Sequence, residues 1–144
     1  MPRLAHLVPL GLLAVGCGSG GSSAPDAPLP IDALPPDAAP RETVSERLLL
    51  VPGELAEGIM TGGNGDLAVI HLDAPRPEID WNIHGHANGG TQIVNEGFDL
   101  IGVDHVFAPA AQADWFLLVR NGGATDLTVL VRVELHGNMQ WRWQ

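Results

Sequence analysis

The clearest pattern in the chain is strict alternation. Leu127, Val129, Val131, Val133 and Leu135 are apolar, and between them stand Thr128, Leu130, Arg132, Glu134 and His136, all polar except Leu130. A period of two sends successive side chains to opposite faces, so Leu127 to His136 predicts a strand with one core face and one mostly wet face. Asp114 to Arg120 differs, because Trp115, Phe116, Leu117, Leu118 and Val119 follow one another without interruption. A β-favouring run that is apolar on both faces predicts a central strand. Between the two, Asn121-Gly122-Gly123-Ala124-Thr125 has the residue types and length of a hairpin turn, so the two strands are expected to pair with each other.

Upstream, Val44 to Val51, Leu67 to Leu72, Ile79 to His84, Thr91 to Asn95 and Leu100 to Phe107 are further short apolar runs. Gly62-Gly63-Asn64-Gly65-Asp66, Pro75-Arg76-Pro77 and Asn88-Gly89-Gly90 punctuate them at the spacing of a sandwich or barrel. No segment sustains a helical period. The pattern predicts an all-β domain over residues 42–144: a single antiparallel β-sandwich, jelly-roll or immunoglobulin-like, of about seven or eight strands. A chain segment of about 100 residues can build a two-sheet core without disulfides.

The front end carries a different pattern. After Met1-Pro2-Arg3, Leu4 to Val15 is an apolar run of the length of a secretion-signal core, too short for the ~20 residues of a membrane-spanning helix. It ends in Leu13-Ala14-Val15-Gly16-Cys17, which resembles the lipobox of bacterial lipoproteins. The resemblance implies removal of residues 1–16, lipidation of Cys17 with diacylglycerol and palmitate, and anchoring in the cell envelope. Gly18 in place of Asp after the cysteine implies the outer membrane, on its periplasmic face or at the cell surface. Ala14 stands where the family usually has Leu, and Leu13 lies one place earlier. Cys17 is also the chain's one cysteine, so in an oxidising compartment it has no intramolecular partner. Residues 17–41 continue with a Gly/Ser stretch and then Pro, Ala and Asp, a composition that cannot bury a core and predicts a disordered tether.

Composition narrows the partners. Seven Arg and no Lys stand against 17 Asp and Glu, for a net charge of −10. Such a chain repels phosphate backbones, which excludes nucleic acid as a partner. The membrane, reached through the lipid anchor, and an envelope protein or polysaccharide are the partners expected.

From Trp81 to Leu135 the sequence opens with Trp81-Asn82-Ile83-His84 and reaches Asp114-Trp115-Phe116-Leu117-Leu118-Val119-Arg120-Asn121-Gly122-Gly123 before the long alternating strand. This stretch is similar to the jelly-roll-like sandwiches of GOLD and related accessory domains. The resemblance implies cargo or partner binding with no common active site.

Candidate chemistry is confined to histidine and tryptophan. If Ile79, Trp81 and Ile83 point inward, Asp80, Asn82 and His84 share the opposite face and His86 follows. Two imidazoles at i and i+2 can chelate one ion, Zn or Cu by ligand type, if His71, His105 or His136 supplies a third donor. His84, His86 and His71 are the candidate set, against the alternative that all are surface or hydrogen-bonded histidines. Trp81 and Trp115 fall in apolar phases and are expected in the core. Trp141 and Trp143 share one face of the C-terminal segment, either as an aromatic binding platform or as packing at one end of the sandwich. No Gly-x-Ser-x-Gly and no phosphate loop is present, and Ser19, Ser22, Ser23 and Ser45 lie in or next to the tether. The expected function is therefore that of a non-catalytic binding or structural module, without a catalytic residue or cofactor, and the alternative is a metal-binding envelope protein.

Overall fold

The computed structural model describes residues 39–87 and 90–144; the expected signal sequence, Cys17 and all but the end of the expected tether lie outside them. Nine strands follow in order: β1 (Glu42–Leu50), β2 (Leu55–Gly62), β3 (Leu67–Asp73), β4 (Ile79–Ala87), β5 (Gly90–Leu100), β6 (Gly102–Phe107), β7 (Ala113–Asn121), β8 (Leu127–His136) and β9 (Gln140–Trp143). They form two antiparallel sheets, one of order β1-β8-β3-β6 and one of order β5-β4-β7-β2-β9. The first eight strands thus divide four and four in the double Greek-key arrangement of a jelly roll, and β9 is added at one edge. The expected all-β sandwich is what the chain forms, with nine strands rather than seven or eight. Among the described residues no helix is long and apolar enough to cross a membrane.

The core lies between the sheets and is built by alternation. On β8, Leu127, Val129, Val131, Val133 and Leu135 are all buried, and they face Ile79, Trp81 and Ile83 of β4 and Leu117 and Val119 of β7 within one cluster. Trp115 packs against that cluster, and Met60 of β2 is fully buried in it. As expected of a central strand, β7 lies between β4 and β2.

The predicted β7–β8 hairpin does not form. β7 belongs to the five-stranded sheet and β8 to the four-stranded one, so Asn121 to Thr125 carries the chain across the sandwich. The reason lies in Asn121, which is fully buried. Its amide donates to the carbonyls of Leu50 (2.9 Å) and Thr125 (2.8 Å), and its Oδ1 accepts from the Gly123 N–H (2.9 Å). Arg76 reinforces the corner, donating to Glu78, to the Thr125 hydroxyl and to the Asp126 carbonyl. A hairpin turn would point such a side chain to solvent; here it pins the end of β7 to the end of β1. Only β4 and β5, of the consecutive strands, pair within one sheet, with Ala87 opposite Gly90.

Strand β2 carries no alternation of Val or Ile, and its composition explains why. Gly58 faces inward, and a Cβ there would sit 2.0 Å from the Trp141 ring, so the position holds glycine to let the indole lie across the strand. The β2–β3 turn is closed by Asp66, whose carboxylate accepts the N–H groups of Gly63 (2.8 Å) and Asn138 (2.7 Å). These two backbone donors hold its pKa below the ordinary carboxylate value.

Candidate functional site

The outward face of the five-stranded sheet carries a band of side chains that crosses the strands. Register fixes it: Ile93 of β5 lies opposite His84 of β4, His84 opposite Phe116 of β7, Phe116 opposite Ile59 of β2, and Ile59 opposite Arg142 of β9. With strands about 4.8 Å apart, the band from Ile93 to Arg142 spans roughly 19 Å. Ile59 and His84 are each only 7% exposed although they face away from the core. Neighbours on the same face cover them. The His84 and Phe116 rings stack with centroids 5.2 Å apart, and His86 meets both edge-on at 5.3 and 4.8 Å.

A second row runs alongside, from Glu96 on β5 through Asn82 on β4 and Leu118 on β7 to Glu57 on β2. His84 Nδ1 is 2.8 Å from Asn82 Oδ1, and its Nε2 lies 3.5 Å from Glu57 Oε1. Nδ1 donates to the Asn82 oxygen, and Nε2 is turned toward that carboxylate. Burial pushes the His84 pKa below its ordinary value, the Glu57 charge opposes this, and His86 adds to the lowering. The cluster therefore consists of three touching rings beside a carboxylate that is itself only 19% exposed. On the far side, Arg142 donates to Asp114 Oδ2 and to the Thr61 hydroxyl, both at 3.3 Å, fixing β9 to the face.

The other predicted residues do not join this site. His71, on the outward face of the four-stranded sheet, holds Asp104 Oδ1 at 2.6 Å. His136 ends β8 on that same outward face, and His105 points between the sheets, its ring 5.2 Å from Trp81. Burial lowers the His105 pKa. The three-histidine set of His84, His86 and His71 is thus corrected by topology: the first two and the third sit on opposite outer surfaces of the sandwich. Among the described residues no group of three or more His, Cys, Asp or Glu is placed to hold a metal ion.

Trp141 and Trp143 do share a face, and it is the inner one. Their registers with Met60 and Gly58 put both rings, edge-to-face at 5.1 Å, against the core. The residues that the sequence reading did not single out are Phe116, Ile59 and Glu57. Each belongs to a strand whose neighbours are distant in sequence, and the apolar run around Phe116 assigns no special part to its outward member.

No protein-family model matches the sequence, and no curated protein matches it significantly. Solved structures do resemble the domain. A periplasmic lysozyme inhibitor of g-type lysozyme from Aeromonas hydrophila, PliG, superposes with a TM-score of 0.52 at 9% identity, covering 69% of this chain and 89% of that one. The Yersinia pseudotuberculosis-derived mitogen superposes with a TM-score of 0.50 at 10% identity, with the same coverage. At such identities the likeness is one of fold, and it places this chain among β-rich domains of that architecture.

Proposed function

We propose that this chain is a lipid-anchored envelope protein, held through Cys17 at the outer membrane, whose jelly roll binds a partner protein without catalysing a reaction. The observation that carries the binding reading is the band Ile93–His84–Phe116–Ile59: an aromatic and apolar strip on the outward face of a sheet, where alternation ordinarily delivers polar side chains. The fold it shares with a periplasmic inhibitor of another protein supports the same reading. The lipobox-like segment and the Pro/Ala/Asp tether support the address.

Two measurements test it. Replacing Cys17 by Ser should abolish labelling by a palmitate analogue and release the chain from membranes; retained labelling would overturn the anchor. Benzoylphenylalanine placed at position 116 should, on irradiation of intact cells, give a discrete adduct that the same photoprobe at position 130, on the other sheet, does not give. Equal adducts, or none, would overturn the binding face.

A further inference from the structure

The outward face of the five-stranded sheet carries four carboxylates by register, Glu57, Asp80, Glu96 and Asp114, and two guanidinium groups, Arg120 and Arg142. Arg142 is paired with Asp114, and Arg120 stands across from Asp80 by register without an ion pair to it. Glu57 and Glu96 likewise have no guanidinium within salt-bridge distance among the described residues. The imidazole 3.5 Å from Glu57 is that of His84, whose burial disfavours its charged form. The two carboxylates occupy the ends of one cross-strand row with Asn82 and Leu118 between them, three strand spacings or about 14 Å apart. The aromatic band lies one row away.

Resting on the binding reading above, we infer that the partner is a basic protein that lays an apolar side chain against Phe116 and sets two cationic side chains, about 14 Å apart, on Glu57 and Glu96. Charge argues for this occupant over the others. A second copy of a chain of net charge −10 would bring like charge onto like, and an anionic lipid surface would be repelled by the same carboxylates. A guanidinium set on Glu57 would lie one row from the stacked His84 and Phe116 rings. In an extended segment, residues i and i+4 lie on one side about 13.6 Å apart at ~3.4 Å per residue. The residue at i+2 then falls between them.

That geometry supplies the probe. Full-length protein in detergent, labelled for amide and side-chain NMR, is titrated with the peptide Arg-Ser-Leu-Ser-Arg and with Arg-Arg-Leu-Ser-Ser, equal in composition and charge. The expected result is that the first shifts Glu57, His84, Phe116 and Glu96 and binds at least fivefold more tightly than the second. The double substitution Glu57→Gln/Glu96→Gln should weaken it at least tenfold, while Asp73→Asn/Asp104→Asn on the other sheet leaves it unchanged. Because amide replaces carboxylate without loss of volume, the native amide spectrum serves as the folding control. Equal binding of the two peptides, or shifts spread over all carboxylates, would overturn the inference. So would a photo-adduct at position 116 with an acidic partner, which would leave the binding face standing. Peptide binding as expected, with no cellular adduct, would instead uphold the charge reading and sink the partner reading.

Discussion

Both sheets turn one face to solvent, and the same rule of alternation has filled the two faces differently. On the four-stranded sheet the outward members of β8 are Thr128, Leu130, Arg132, Glu134 and His136, with His71 and Asp104 paired alongside. Its exposed apolar residues, such as Leu49 and Leu130, do not stack with one another in a ring cluster. On the five-stranded sheet the outward members of β4 and β7 include Asp80, Asn82, Asp114 and Arg120, but also His84, His86, Phe116 and Leu118, three of them in mutual ring contact, and His84 is nearly sealed from water. The first face follows the ordinary rule of polar residues toward water, whereas the second buries an imidazole and an isoleucine without a third layer above them. That difference is the one on which the proposed binding face rests.

The largest test of the contrast is truncation. Phe116→Ala removes the ring that covers His84 and Ile59 and should cost about 2 kcal/mol of unfolding free energy, below the full range for a completely buried Phe. Leu130→Ala on the other face should cost less than about 0.5 kcal/mol. Urea denaturation of both variants decides it, and equal losses would mean that the two faces are energetically alike.

Acid titration comes next. The folded-state pKa values of His84 and His105 are lowered from 6.5, so below that value the unfolded chain takes up protons that the folded chain refuses. Stability should therefore be full above about pH 6.5 and fall as pH drops toward the folded values. His84→Asn and His105→Asn should each flatten that decline. Asp66 and Asp114 have pKa values lowered from 3.8 by their hydrogen bonds. Their contribution is present above pH 3.8 and is lost as pH falls through the folded values, so Asp66→Asn should blunt only this lower window. A thermal melt series from pH 8 to pH 2 resolves the two; stability that rises on acidification through pH 6 would contradict the burial of the histidines.

The smallest effect concerns the band's exposed end. Ile93, 51% exposed, should be replaceable by Thr within about 0.5 kcal/mol of stability. The same change should lower the yield of the photo-adduct at position 116 several-fold, whereas Leu49→Thr should change neither.

Much of this molecule was legible before its structure. Alternation located β8, and uninterrupted hydrophobicity marked β7 as central. The phase of Ile79, Trp81 and Ile83 placed His84 on the opposite face with Asp80 and Asn82. What escaped depended on contacts between residues far apart. The strand β2 has glycine at position 58 because Trp141 lies over it, and nothing local to Leu55–Gly62 reveals the tryptophan. Asn121-Gly122-Gly123 has the letters of a hairpin and is a crossover, because a buried amide binds the carbonyl of Leu50. The band itself is assembled from four strands that the crossovers make neighbours, so a reading along the chain finds one histidine pair where the surface presents three rings and a carboxylate. The same topology puts His71 and His84 on opposite outer surfaces, which spacing along the chain could not reveal.

The pairing of β1 with β8 carries a consequence for how the protein comes to exist. Glu42 faces Leu135 and Leu50 faces Leu127, so the first strand waits for a partner made only after the six strands between them, and the four-stranded sheet lacks an interior strand until then. All-β folds dominated by such distant pairings acquire their native state in milliseconds to seconds rather than microseconds. A chain emerging from its amino end would hold its opening strand unmatched until β8 had followed it, and the sandwich could close only then.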